Sequence, residues 1–296
     1  MYLSKRIRPF FFLLFPFTLI IMFVIYPIVA TVHYSFYDKN TGSLNFNNYI
    51  DVISSTNPLY MLVFRTLTPT PPWGALIHNL VWVSVHVPLT IFLGLILAFL
   101  LKYYVKGSTL VKTIIFLGMV VPPVVGGLII RFMFDGVVGI FPAIFSFIGI
   151  EALSKTWTNY PQTALFALIL GSLWIWLGFS VTVFSAALES IPKSHIDAAR
   201  VFGASMQHVF LKVIVPQLRP AIIIVTVMTV LWDLKIFDIV YASTGGGPGG
   251  STSVLALAMY NYFARALDYY KSATVAVILT LIITPFIIMI MRWLKD

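Results

Sequence analysis

The chain has no cysteine and few charges. The first absence excludes a disulfide framework and any thiolate metal site. The second decides more. Only 10% of its 296 residues are Asp, Glu, Lys or Arg, against about 25% in soluble domains. The usual catalytic signatures are missing too. Five histidines (His33, His78, His86, His195 and His208) are scattered with no H-E-x-x-H spacing, which argues against a membrane-embedded hydrolase. A proton relay would need carboxylates buried in the membrane. The second and third apolar runs described below hold none, Asp135 lying at an end. The glycine-rich stretch "STGGGPGGSTS" (243–253) closes on Ser251 and Thr252 but lacks the lysine of a phosphate-binding G-x-x-x-x-G-K-[ST] loop.

What is present is apolar. Hydrophobic residues make up 59% of the chain, more than a soluble core of this size could hide. Six runs stand out, near 10–30, 76–101, 114–134, 164–188, 221–242 and 273–294. Each approaches or exceeds the ~20 residues of a membrane-spanning helix. The expectation is an all-α integral membrane protein with six transmembrane helices. The first run follows Lys5, Arg6 and Arg8. It exceeds the about 7–15 apolar residues of a cleaved signal, so it reads as a retained signal-anchor helix. Pro16, Pro27, Pro88, Pro122, Pro123 and Pro285 fall within or at the ends of the runs, and they predict kinked helices.

Charge sets the orientation. With the N-terminus inside, twelve basic residues fall on inner segments: Lys5, Arg6, Arg8, Lys102, Lys106, Lys112, Lys193, Arg200, Lys212, Arg219, Arg292 and Lys295. The other seven, Lys39, Arg65, Arg131, Lys155, Lys235, Arg265 and Lys271, fall outside. That bias places both termini in the cytoplasm. The net charge of +9 therefore records topology in a lipid membrane rather than a nucleic-acid partner. It also puts "GGGPGG" outside the cell, away from cytoplasmic ATP. Outer segments 38–49 and 68–74 are turn-rich, and 49–67 predicts a short amphipathic helix on the membrane surface. No internal repeat is visible.

The most informative segment is the 32-residue inner loop "ESIPKSHIDAARVFGASMQHVFLKVIVPQLRP" (189–220). Ser194 with Asp197 has capping-box spacing and predicts a helix start near His195. Gly203 suits a helix end at positive φ, and Ser205 can cap a second helix. That helix must end or kink near Pro216, and Pro220 suits the first turn of the fifth membrane helix. The result is a helix, a glycine elbow and a second helix. Ile196, Ala199, Val201 and Phe202 give it an apolar contact surface. A DNA-binding helix-turn-helix would share this pattern. Tethering both ends to membrane helices, however, keeps it from a major groove.

"DAARVFGASMQHVFLKVIVP" (197–216) resembles the cytoplasmic motif E-A-A-x3-G-x9-I-x-L-P of binding-protein-dependent ABC importer permeases. Asp197, Ala198 and Ala199 take the first places, Gly203 the glycine, and Val213, Val215 and Pro216 the end, with Asp replacing Glu and Val replacing Ile and Leu. "WLGFSVTVFSAALESIP", "WDLKIFDIVYASTGGGPGGST" and "YNYFARALDYYKSATVAVIL" resemble the carbohydrate subgroup, the maltose and glycerol-phosphate type. The resemblance runs from about residue 76 to the end, with a weaker echo in "NFNNY". It implies a type I importer transmembrane domain, with a five-helix core and a peripheral first helix. Residues 1–75 would form that helix and the first outer loop, and 76–296 the core with its coupling loop at 189–220. It implies a second homologous permease subunit, two cytoplasmic ATP-binding subunits and an extracellular sugar-binding protein as partners. ATP and Mg would be held on the ATPase subunits, with no cofactor on this chain. Glu189, Asp197, Ala198, Ala199, Gly203 and Pro216 would couple to the ATPase, and Asp197 would also stabilise its helix N-terminus. The glycine-rich segment would be an adaptable outer loop near the binding protein, or a plain turn.

Sugar sites combine polar groups with aromatic rings. On the fifth helix Thr229, Trp232, Asp233 and Ile236 share one face by spacing. On the fourth, Trp174, Gly178 and Val181 share a stripe, with Gly178 leaving room for a ligand. In the family these two helices line the sugar path. An acid such as Asp233 is costly in a membrane helix and so marks function, though it can instead pair with a cation of the partner permease. Trp174 and Trp176 can serve as packing or interface anchors. Asn79 and His86 can each make a helix–helix hydrogen bond.

Overall fold

The computed structural model describes residues 8–39, 41–63 and 69–293. Among them the regular secondary structure is all helical, apart from one isolated bridge between Tyr37 and Leu44. Helices α1 (Arg8–Ile20) and α2 (Tyr26–Phe36) join through a π-turn at Ile21–Ile25. From Phe12 onward this rod is apolar and mostly exposed on the protein, as a lipid-facing helix should be, and α2 rests on α15 (Tyr269–Trp293). Lys5, Arg6, Arg65 and Lys295 lie outside the described residues.

The expected surface helix at 49–67 is shorter. Helix α3 (Asn47–Ser54) ends before Ser55, which is extended (φ −58°, ψ 129°) ahead of the Asn57–Pro58 turn. Rather than lying free, α3 packs on α2 and α15, with Val52 buried and Asn48 Nδ2 donating to the carbonyls of Ser35 and Tyr37 at 3.2 and 2.8 Å. Residues 64–67 of that segment fall outside the described residues.

Helices α4 (Ala75–Tyr103), α8 (Pro161–Glu189) and α15 are unbroken and long enough to span, as is the rod from Phe12 to Phe36. The third run is not one helix. It divides into α5 (Ser108–Val120) and α6 (Pro123–Met133), bent by 106°. Val121 precedes Pro122, and proline sterics drive the preceding residue out of the α region; it sits at φ −67°, ψ 127°. The fifth run is also divided. Helix α12 (Arg219–Leu234) stops, Phe237 takes φ −137°, ψ −59°, and α13 (Asp238–Ser243) follows. Among the described residues there are four unbroken candidate spans, and up to six if each of two bent pairs counts as one: α5 with α6, and residues 206–217 with α12, bent by 69°.

Two elements were not expected. Asp135 Oδ1 accepts from the amides of Val137 and Val138 at 2.9 and 3.2 Å. Those bonds hold its carboxyl below the usual range and close the turn that leads into α7 (Ile140–Phe147). Helix α14 (Leu255–Tyr260) then precedes α15.

In lipid no hydrophobic force pulls helices together, so close packing must hold them. Glycine supplies it. A Cβ on Gly118 would come within 2.6 Å of the Trp174 carbonyl oxygen, and one on Gly127 within 2.8 Å of that of Ile239. Helix α4 packs along α8, and α12 along both.

Candidate functional site

The inner loop follows α8 as α9 (Lys193–Val201), α10 (Met206–Val209), a π-turn at Phe210–Ile214 and α11 (Val215–Gln217). Helix α9 starts two residues before the expected position. Pro192 is extended (φ −59°, ψ 129°), and the His195 amide donates to its carbonyl at 3.1 Å. Ser194 is therefore inside the first turn and makes no capping bond. Asp197 becomes the fifth helical residue, past the first turn where the helix dipole acts. The elbow is as expected. Gly203 has φ +80°, its amide reaches the Arg200 carbonyl at 2.9 Å, and the Ala204 amide reaches that of Ala199 at 3.1 Å. This is a Schellman closure. Ser205 Oγ accepts from the His208 amide at 3.3 Å, also as expected.

The contact surface divides differently. Ile196 turns inward against Leu188, Ile191, Val209 and Ile214, while Val201 and Phe202 stand 84% and 91% exposed. Glu189, Asp197, Ala198 and Pro216 are exposed beside them, and Ala199 is half-buried. His195 Nδ1 meets Gln217 Oε1 at 3.0 Å, tying α9 to α11. Lys102 Nζ donates to the Leu188 carbonyl at 2.6 Å, tying α4 to α8. The loop is a braced knob with two bare apolar side chains at its tip.

Within the membrane core, the sequence-predicted residues separate. Thr229, Asp233, Val181, Gly178 and Ile236 are all buried inside this one chain. Ile236 leaves the stripe because α12 ends at Leu234. Gly178 does not leave room for a ligand: a Cβ there would lie 3.1 Å from the Ile115 carbonyl oxygen and 3.2 Å from Phe116 Cα, so α5 fills the space. Trp174 and Trp232 keep partial exposure. Trp232 stacks on Trp176 at 4.3 Å between centroids, with Phe179 edge-on at 4.8 Å. Spacing alone could not show that stack, because it joins two helices.

Asp233 pairs within the chain. Its Oδ2 lies 2.9 Å from His86 Nδ1 on α4, both side chains fully buried. Two turns outward, Asn79 Nδ2 donates to the carbonyls of Asp233 and Leu234 at 3.0 and 3.3 Å, and Asn79 Oδ1 accepts from the Leu255 amide at 2.9 Å. One amide thus caps the end of α12 and the start of α14. His78 Nδ1 meets the Ser253 carbonyl at 2.7 Å. At the sequence level the only signal for these roles was a polar residue in an apolar run.

The glycine-rich segment is knitted by its own hydrogen bonds. Thr252 Oγ1 meets Thr244 Oγ1 at 2.7 Å and the Gly247 carbonyl at 2.8 Å, and Ser251, Thr252 and Ser253 are buried. Beside it opens a cleft of about 490 Å³ lined by Arg131, Thr158, Asn159, Tyr241 and Pro248.

Residues 90–295 match the family of binding-protein-dependent transport system inner membrane components. That match spans the braced knob, the second half of α4, and all of α8 and α12. The chain belongs to this family. It is similar to a probable ABC transporter permease protein of Pyrococcus horikoshii, 55% identical over 281 residues, 94% of this chain and 95% of the relative. It is also similar to the trehalose/maltose transport system permease protein MalF of Thermococcus litoralis, 27% identical over 93% of this chain and 89% of that one. The fold matches a chain of a bacterial alginate ABC transporter crystallised with an alginate pentasaccharide-bound periplasmic protein, with a TM-score of 0.76 at 16% identity, covering 96% of this chain and 93% of the other. The chain is accordingly a membrane transport component, and its apolar helices are the spans of an inner-membrane permease.

Proposed function

We propose that this permease imports a sugar handed over by an extracellular binding protein, driven by ATP hydrolysed on partner subunits. The observation that carries the reading is the knob at Gly203. It is a short helix braced at both ends, with Val201 and Phe202 bare and nothing among the described residues to cover them. Two ATP-binding subunits, holding ATP and Mg, would seat such knobs from this chain and from a second permease. Glu189, Asp197, Ala198, Ala199, Gly203 and Pro216 would line the contact. ATP drives transport only to the extent that it binds one arrangement of the knobs better than another.

In this reading α5 with α6 counts as one crossing and α12 as another, which with the four unbroken spans gives six, both termini cytoplasmic. Residues 1–75 form the peripheral part and 76–296 the core. The sugar class comes from the trehalose/maltose relative. The Trp176–Trp232 stack, with Trp174, offers the ring surface a sugar's apolar face needs, and Thr229 and Asp233 support it from behind. Val181, Gly178 and Ile236 serve packing rather than contact.

The test is reconstitution of the full complex in liposomes with its binding protein. Trehalose- or maltose-type sugars should raise ATP hydrolysis and uptake together. Trp232→Ala should lower uptake roughly tenfold, the worth of about 1.4 kcal/mol of aromatic stacking, while leaving assembly intact. Hydrolysis and uptake indifferent to every sugar tested would sink the assignment.

A further inference from the structure

Threonines on the helices of this protein have a habit. Thr18, Thr31, Thr113, Thr182, Thr226, Thr274, Thr280 and Thr284 each donate Oγ1 to the carbonyl four residues back, at 2.7–2.9 Å. Thr90 and Thr229 break it. Both are fully buried, and neither hydroxyl bonds any protein atom among the described residues.

Their positions coincide with the His86–Asp233 pair. Thr90 lies four residues after His86 on α4, and Thr229 lies four before Asp233 on α12, so each shares a stripe with its dyad residue. In the six-span reading α4 descends and α12 ascends. With His86 and Asp233 in contact, one turn inward along both helices brings Thr90 and Thr229 to the same level. The pair itself leaves Asp233 Oδ1 and His86 Nε2 without protein partners among the described residues. Four buried polar atoms on two facing stripes are thus unsatisfied by protein, at a site sealed from the surface. A buried polar atom left so is destabilising.

We infer that Thr90, His86, Asp233 and Thr229 form a buried water-binding site between α4 and α12. The chemistry selects water over other occupants. The site mixes a carboxylate that only accepts, an imidazole nitrogen and two hydroxyls that do either, and a buried water wants two to four such partners. Nothing larger reaches a sealed seam. Its place matters for transport, because it sits below the Lys235–Phe237 break and behind Trp232. Water can exchange partners as α12 moves, where a dry seam would strand a charge.

The experiment compares Thr229→Val with Thr229→Ser, and Thr90→Val with Thr90→Ser, by thermal unfolding of the assembled transporter. Valine is nearly isosteric with threonine and serine is smaller, so assembly is preserved. At a hydrated site serine keeps the hydroxyl that holds the water, so each serine variant should melt higher than its valine counterpart. The Thr90→Val/Thr229→Val double variant should lose less than the sum of the single losses, because the first valine already displaces shared water. At a dry site the order inverts. Valine would then remove an unsatisfied hydroxyl at constant shape and melt at or above wild type, while serine would leave both a gap and an unpaired group. Valine above serine at both positions, or additive losses in the double variant, would overturn the proposal.

Discussion

At the scale of the residue, the His86–Asp233 pair sets the largest stake in the core. Removing one member of a buried hydrogen-bonded pair leaves the other unsatisfied, at about 1–3 kcal/mol and more if it carries charge, whereas replacing both with apolar groups is often neutral. His86→Leu should therefore destabilise the transporter by that amount, and His86→Leu/Asp233→Leu should recover most of the loss. Thermal unfolding of the assembled complex measures both. A double variant as unstable as the single one would mean that the two side chains do not act as a pair. The geometry also revises how Asp233 serves transport. An acid in an apolar run marks function by default, but this carboxylate is sealed against its own chain. Its partner is α4 rather than a cation from a second subunit. The residue that presents surface is its neighbour Trp232.

At the scale of the element, local chemistry was readable and tertiary chemistry was not. Gly203 announced its own closure, because a positive φ and two backbone bonds within five residues define it. Predictions from that elbow are accordingly direct. Gly203→Asp places a side chain in the left-handed region at roughly 1 kcal/mol or more. The surrounding space is open, and the apolar spans insert without the elbow. The variant should assemble in the membrane yet bind fewer ATPase subunits or lose sugar-stimulated hydrolysis, which co-purification and a liposome assay count directly. Normal stoichiometry with normal stimulation would reduce the knob to a linker. The start of α9 was misplaced because Pro192 opens the helix before Ser194 can cap it. The six runs were legible as apolar stretches, and Pro122 foretold a kink but not one of 106°. The end of α12 at Leu234 was invisible, since no Gly or Pro marks it. It depends on Asn79, more than a hundred residues away, which satisfies the carbonyls that the break exposes.

At the scale of the whole molecule, the question is which face meets the cytoplasm, and the chain's lack of cysteine makes it answerable. Twelve of nineteen basic residues fall on the segments assigned inside, and Lys and Arg on short loops set orientation during insertion. The braced knob lies on that same side. The knitted glycine-rich segment and the polar cleft beside Arg131 lie on the other. A single cysteine reports the side only where reagent can reach it. Ser251, where the glycine-rich segment closes, is fully buried and would stay unlabelled from either face. Glu151, between α7 and α8, and Ser194, in α9, are both exposed and make no hydrogen bond through their side chains that a thiol would break. Glu151→Cys should react with a membrane-impermeant maleimide added to intact cells. Ser194→Cys should react only after the membrane is opened, and mass analysis of this subunit separates its label from that on partner proteins. The opposite pattern would invert the topology and put the knob out of reach of any cytoplasmic ATPase. The coupling reading of Gly203 would fall with it, whereas the buried seam between α4 and α12, which is the same from either side, would stand.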